Sequence, residues 1–289
     1  MPFDSTREIA KPLVNAMSVD VEDYFQVEAM ARTVDRADWD SYPRRVADNT
    51  DRLIDLFAEM NAKATFFTLA WVAERHPDLI RRMVSAGHEL ASHGLNHTRV
   101  DQQTPDIFRA DLRQSRAMLE DIGGTAVRGY RAASFSIGTR NLWAFDVLEE
   151  EGYAYSSSIY PIQHDLYGMP DAPRTPFHPR QGKLIEIPLT TVQRFGRNLP
   201  CAGGGYFRLL PYAISRANLR RVNNRDHMAG IFYMHPWEID PNQPRVPGLP
   251  LKSRLRHYLN LGRMEGRLRQ LLTDFAWGRM DDVFLTNNP

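Results

Sequence analysis

Three short stretches gather the residues best able to do chemistry. In Ser92-His93-Gly94-Leu95-Asn96-His97 the histidines stand four apart. On a helix that spacing is one turn, and both imidazoles can aim at one point where a divalent cation fits. The same spacing also suits one histidine closing a turn while the other lies on the surface. In Asp20-Val21-Glu22-Asp23 three carboxylates crowd together directly after an apolar run. Like charges so placed repel, and a shared cation relieves them. A solvated loop, or a helix N-cap through Asp20 or Asp23, is the other reading. His235 closes the apolar run Gly230-Ile231-Phe232-Tyr233-Met234 and is followed by Pro236-Trp237. A lone histidine there is commonly a satisfied core residue, whereas in a parallel barrel the C-terminal strand ends face the active site. Arg131, in Gly129-Tyr130-Arg131-Ala132-Ala133, reads as a surface arginine or as the buried partner of a carboxylate. Two histidines and an acid around a metal with an open position would activate water and polarise a carbonyl, which is hydrolytic chemistry.

Such residues need rigid elements to converge. Pro12 to Val19 reads as a buried strand ending in the carboxylates. Arg45 to Met60 has helical spacing of Val46, Leu53, Ile54, Leu56 and Phe57, and Ala64 to Leu69 is β-prone. Asp78 to Ala86 is an amphipathic helix closed by Gly87, where a left-handed cap is common. His88 to Ala91 reads as a strand, Asp106 to Gly123 as a helix, Val127 to Arg131 as a lead into a Ser/Gly-rich loop. Asn141 to Glu151 is helical, and Tyr153 to Ser156, Leu184 to Leu189 and Gly230 to Met234 are strands. Alternation of this kind predicts a parallel α/β architecture. Residues 161–179, rich in Pro, His and Asp, are expected to form a long loop over the site, and 251–272 a closing helical region.

Composition narrows the partners. A 289-residue chain with 43% hydrophobic and 25% charged residues is a globular chain with room for one large core. Its net charge of +1 provides no field for gathering a polyanion, so nucleic acid is not an expected partner. The basic stretch Lys252 to Arg269 reads first as a solvated helix face. The single cysteine, Cys201, excludes an intrachain disulfide and a thiolate metal cluster built from this chain alone. The first residues are charged and lack the apolar core of a secretory signal, and no apolar run reaches the ~18 residues of a transmembrane helix. A cytoplasmic protein is expected.

In order along the chain, SVDVED, ATFFTL, GHELASHGLNH, GYRAAS and MHPW resemble the motifs of the carbohydrate esterase family 4 polysaccharide deacetylases, the NodB-homology proteins. HDLYG (168 at its end), GGGYFRLLPY from Gly203, and HPWEID resemble the branch associated with bacterial exopolysaccharide export and exosortase systems. The resemblance implies a distorted (β/α) barrel over residues 17–240, preceded by a lead over 1–16 and followed by a helical extension, 241–289, packed on the domain. It implies a zinc-like metal on His93, His97 and an acidic ligand, with Asp20 as catalytic base, Arg131 as the arginine that holds that base in place, and His235 as general acid. The usual pair of adjacent aspartates is interrupted here by Val21, so the ligand is Glu22, with Asp23 as alternative. The implied reaction removes N-acetyl groups from an N-acetylated polysaccharide or its precursor, releasing acetate, in loose association with membrane-bound synthesis machinery.

The family's fourth motif carries an aspartate that orients the acid histidine, but Tyr155-Ser156-Ser157-Ser158-Ile159 offers only serines, and Asp165 is the nearest substitute. Trp237 and Tyr206 are candidates to stack on a sugar face, with His164 as a further substrate contact, while aromatics at a barrel mouth also serve simply as packing. Gly203-Gly204-Gly205 lacks the lysine of a phosphate loop and reads as a tight turn beside the site. Two other functions stay open: hydrolysis of a small linear or cyclic amide on the same barrel, and non-catalytic sugar binding.

Overall fold

In a computed structural model of the chain, residues 13–285 are described except 166, 181 and 202; the greater part of the expected N-terminal lead lies outside them. In chain order the elements are β1 (Val14–Val21), α1 (Val46–Glu59), β2 (Thr65–Thr68), α2 (Ala70–Arg75), α3 (Pro77–Ser85) and β3 (Glu89–Ser92). Then follow α4 (Pro105–Gly123), β4 (Gly129–Tyr130), α5 (Trp143–Glu150), β5 (Tyr155–Ser156), β6 (Ile185–Glu186), β7 (Thr191–Arg194) and β8 (Arg197–Pro200). The last are α6 (Gly204–Leu209), α7 (Tyr212–Asn224), β9 (Ile231–Met234), α8 (Leu251–Tyr258), α9 (Leu261–Asp274), β10 (Ala276–Gly278) and α10 (Met280–Phe284).

The strands form a parallel sheet in the order β10-β1-β2-β3-β4-β5-β6, with β9 also paired to β1. With helices against its outer face it is the curled, distorted (β/α) barrel expected from the motifs. β1 is its hub: Val14 to Ala16 pair with β10, Ala16 to Val19 with β9, and Ser18 to Val21 with β2. β7 and β8 form a separate antiparallel hairpin, beyond the strand expected over Leu184 to Leu189, that sequence reasoning had not anticipated. Residues 241–289 are not purely helical, because β10 lies in this stretch and joins the sheet.

Strand alternation sorts the chemistry. Met17, Val19 and Val21 belong to the larger core under the helices, and Phe66, Leu90, Phe232 and Met234 join them. Ala16, Phe67, Ala91, Ile231 and Tyr233 form a second core inside the curl of the sheet. Ser18 and Asp20 share the parity of Ala16, and His235 that of Tyr233. The barrel interior therefore receives Asp20 and His235 as a consequence of which residues the helices cover. Helix ends fix the strand entries: Thr104 caps α4, accepting from the Ile107 N–H at 3.3 Å, and Gly124, at φ 62°, ends it in the left-handed conformation. Among the described residues no helix is long and apolar enough to cross a membrane.

Candidate active site

Each strand end hands over one or two side chains. Glu22 follows β1 with the parity of Asp20 and is buried beside it. His93 follows β3, and a loop containing Gly94 (φ 82°) and His97 itself (φ 52°) brings the second imidazole back. The histidine pair is therefore not carried on a helical turn, as its spacing had suggested; two left-handed residues in a loop make the convergence. The ligand atoms of Glu22, His93 and His97 lie within 4.8 Å of one another, and all three residues are buried. Asp23 is excluded from this group. Its Oδ2 accepts the backbone N–H groups of Arg45 (2.7 Å) and Val46 (3.0 Å), and its Oδ1 that of Tyr24 (2.9 Å), so it caps α1 from a distance.

The donor set suits a divalent cation. Glu22 Oε2 is buried without a hydrogen-bond donor, 3.0 Å from His97 Nε2. His93 Nδ1 lies 2.8 Å from the Arg131 carbonyl oxygen, which can only accept; Nδ1 thus carries the proton and Nε2 keeps its lone pair. Burial holds His93 neutral, pushed down to about 4. Burial would raise Glu22, but His97, His235 and His93 outweigh it and hold that carboxyl at about 2. Two imidazoles and a carboxylate are a zinc-type ligand set.

Arg131 is fully buried. Its Nη1 donates to Asp20 Oδ1 at 2.6 Å and to Ser18 Oγ at 2.9 Å, while Nε and Nη2 donate to the Ser157 carbonyl (3.1 Å) and hydroxyl (3.1 Å). Ser157 of the fourth motif thus holds the arginine, while Ser158 accepts the Ala132 N–H. Across the cavity His235 Nε2 sits 3.3 Å from Glu22 Oε1, and Nδ1 lies 2.9 Å from Glu238 Oε1. Burial would lower His235, but Glu238, Glu22 and Asp20 raise it to about 9.

Glu238 supplies the carboxylate that sequence reasoning had sought in Asp165. Asp165 instead lies on the surface, 2.6 Å from Lys252 Nζ and 3.1 Å from His164 Nδ1. A signal for Glu238 was present: His-Pro-x-Glu is the N-cap, Pro and N3 acid of a helix start, and Glu238 reaches back to the His235 N–H at 3.1 Å. Arg208, which grips Glu238, lies within the GGGYFRLLPY stretch but was not singled out there.

The proposed sugar contacts fare unevenly. Trp237 borders the cavity but is 5% exposed, flanked by the rings of His235 (5.2 Å) and His257 (4.1 Å), leaving no face for a sugar. Tyr206 is half-buried on α6, and its neighbour Gly205 is the cavity-lining residue. His164 stacks on Tyr167 at 4.0 Å, and Tyr167 forms the wall. The cavity holds about 200 Å³ and is bordered by Asp20, Glu22, His93, His97 and His235.

Residues 28–155 match the polysaccharide deacetylase family model, and residues 157–285 match a domain of unknown function, DUF3473. Asp20 and Glu22 precede the first match, His93, His97 and Arg131 lie in it, and His235, Glu238 and Arg208 lie in the second. Similar proteins include a chitooligosaccharide deacetylase of Sinorhizobium fredii, 32% identical over 112 residues (38% of this chain, 49% of the relative). Another, from Rhizobium leguminosarum bv. trifolii, is 42% identical over 100 residues (34% of this chain, 43% of the relative). The matches thus span about half the length of these curated relatives or less. A Mycobacterium smegmatis protein assigned provisionally to the polysaccharide deacetylases shares the fold, with a TM-score of 0.61 and 22% identity over 94% of this chain and 88% of that one.

Proposed function

We propose that this chain, whose residues 28–155 match the polysaccharide deacetylase family model, hydrolyses the N-acetyl group of an N-acetylated sugar, releasing acetate and a free amine. The observation that carries this reading is the meeting of Glu22, His93 and His97 beside Asp20 and His235 on one small cavity. Glu22, His93 and His97 would hold a divalent cation, zinc by donor type, which supplies Lewis acidity toward the acetyl carbonyl and acidity to water. Asp20, immobilised by Arg131 and Ser18, takes the proton of the attacking water. His235, raised to about 9 and fixed through Nδ1, gives a proton from Nε2 to the departing nitrogen. The amide C–N bond breaks, the water oxygen stays on the acetyl carbon, and the nitrogen leaves as an amine.

We assign the substrate to the exopolysaccharides or their precursors, handled in the cytoplasm in loose association with membrane-bound synthesis machinery. The support is the resemblance of HDLYG and GGGYFRLLPY to the exopolysaccharide-associated branch. A cavity of about 200 Å³ is smaller than the ~300–1,000 Å³ of pockets for drug-sized ligands, so one sugar residue enters at a time. That same size, with Tyr167 of the 161–179 loop on the wall, favours a second reading, hydrolysis of a small amide. Non-catalytic sugar binding loses its main ground, because Glu238, from a different segment, makes the carboxylate contact to His235 that the serines of the fourth motif lack. The test is acetate release from N-acetylglucosamine oligomers and acetylated exopolysaccharide, against ammonia or amine release from small linear and cyclic amides. Acetate from the sugars supports the deacetylase; turnover of small amides alone replaces it with the second reading.

A further inference from the structure

The residues behind His235 form a closed arrangement that the catalytic assignment leaves unexplained. Arg208 and Glu238 are 2% and 1% exposed, and burying such a pair costs several kcal/mol per ion before their attraction returns it. Arg208 Nε donates to Glu238 Oε2 at 2.7 Å. Its Nη1 donates to the carbonyls of His257 (2.9 Å) and Leu259 (2.7 Å), and Nη2 to that of Arg256 (3.2 Å). These carbonyls belong to the C-terminal end of α8, where helical partners run out. The guanidinium is thus fixed on every side, and it fixes the carboxylate in turn. Glu238 Oε1 is left to His235 alone, receiving its Nδ1 at 2.9 Å and its backbone N–H at 3.1 Å.

The glycines before Arg208 fit the same purpose. A Cβ on Gly204 would meet the Glu238 carboxylate oxygens at 2.1 and 2.2 Å, and one on Gly203 would meet the Tyr233 ring at 2.5 Å. Gly203-Gly204 is therefore not a phosphate loop. It is the space into which Glu238 and Tyr233 reach.

We propose that Gly204, Arg208 and Glu238 form a positioning relay that keeps Nδ1 of His235 protonated and fixes the direction of the ring, so that the segment matching the domain of unknown function completes the active site. Because a carboxylate only accepts, Glu238 requires the proton on Nδ1, and Nε2 is presented to the cavity. Arg208 is the anchor, Glu238 the contact, and Gly204 the clearance. This rests on the assignment of His235 as general acid. The competing role is a staple that merely joins α6 to α8 and stabilises the fold.

The full-length chain is prepared with 15N-labelled histidine, as wild type and as Gly204→Ala, Glu238→Gln, Arg208→Gln and the double variant Glu238→Gln/Arg208→Gln. A His235→Gln variant assigns the resonance. In the wild type the His235 Nδ1–H is expected downfield and protected from exchange; in Gly204→Ala and Glu238→Gln it moves upfield and exchanges with water. On N-acetylglucosamine oligomers, kcat falls about 10–100-fold, part of what a general acid contributes, while KM stays within about twofold. The double variant is no slower than Glu238→Gln alone, since both changes cut one chain of contacts. An unmoved Nδ1–H in Gly204→Ala and Glu238→Gln overturns the relay, as do losses that multiply or that appear only as lowered melting temperature. If the wild type releases no acetate, the deacetylase reading fails, and the imidazole signal still decides the relay. Gly204→Ala keeps every charge in place, so it carries the test should the charge variants not fold.

Discussion

Glu22 and Asp23 are adjacent carboxylates with opposite fates, because consecutive side chains leaving a strand point to opposite faces. Glu22 shares the inward parity of Asp20 and ends among imidazoles; Asp23 points outward and ends on the first amides of α1. The two fates separate by experiment. Glu22→Gln is expected to abolish stoichiometric metal binding. Asp23→Ala is expected to keep it while costing about 1–3 kcal/mol of stability, the price of leaving buried donors unpaired. Metal content after dialysis and urea-unfolding midpoints measure the two effects, and loss of metal in Asp23→Ala would reverse the assignment. At this scale the ordered motifs made Asp20, His93, His97, Arg131 and His235 legible. Arg208 was not, since the GGGYFRLLPY stretch that contains it does not reveal partners that lie 30 and about 50 residues away. Trp237 was legible as an aromatic beside the site with stacking and packing both open, because sequence does not reveal that the rings of His235 and His257 lie against it.

Elements were read well where a single period runs long. α1, α3, α4 and α5 follow their apolar spacing, β2 and β9 coincide with runs rich in aromatic and β-branched residues, and β3, a short Glu-Leu-Ala-Ser stretch, follows the glycine that ends α3. β7 and β8 escaped because the first residue of the two-residue turn between them is Phe195, where Asn, Asp or Gly is usual, although Gly196 (φ 71°) follows it. Phe195 has φ 53° and is 96% exposed, so its side chain gains nothing from burial while its backbone sits in the left-handed region. Phe195→Asn is expected to raise stability by up to ~1 kcal/mol, read from the urea midpoint; a loss would reveal a contact for that ring. At the β2–β3 level, His88 Nδ1 accepts the Ala64 N–H at 3.1 Å and its ring meets the edges of Phe57 and Phe66. Burial pushes His88 down from 6.5 to about 4. The folded pKa is below the unfolded one, so as pH falls the unfolded chain takes up the proton first and stability is lost between about pH 6.5 and 4. Urea midpoints across that window should fall less steeply in His88→Gln than in the wild type. Identical slopes would place the acid sensitivity elsewhere.

Over the whole molecule, β1 ties the beginning of the chain to its end. β9 and β10, both within the 157–285 match, pair with β1, which lies ahead of the 28–155 match. A fragment ending at residue 156 would leave β1 without those partners and Arg131 without its Met280 contact (3.7 Å). It is expected to show no cooperative thermal transition, while the full chain melts in one; a sharply folding fragment would show that the two segments are separable. This interdependence was hidden in the sequence, because the terminal residues read as a helical extension and Ala276–Gly278 is too short to announce a strand. The most direct test of the whole account is acetate release from N-acetylglucosamine oligomers by zinc-loaded wild type, Asp20→Asn and His93→Ala, with bound metal measured in each. The account predicts one metal and acetate release in the wild type, one metal but a rate lower by about 10²–10⁴-fold in Asp20→Asn, and neither metal nor acetate in His93→Ala. Undiminished acetate release by Asp20→Asn, or by metal-free His93→Ala, would contradict it.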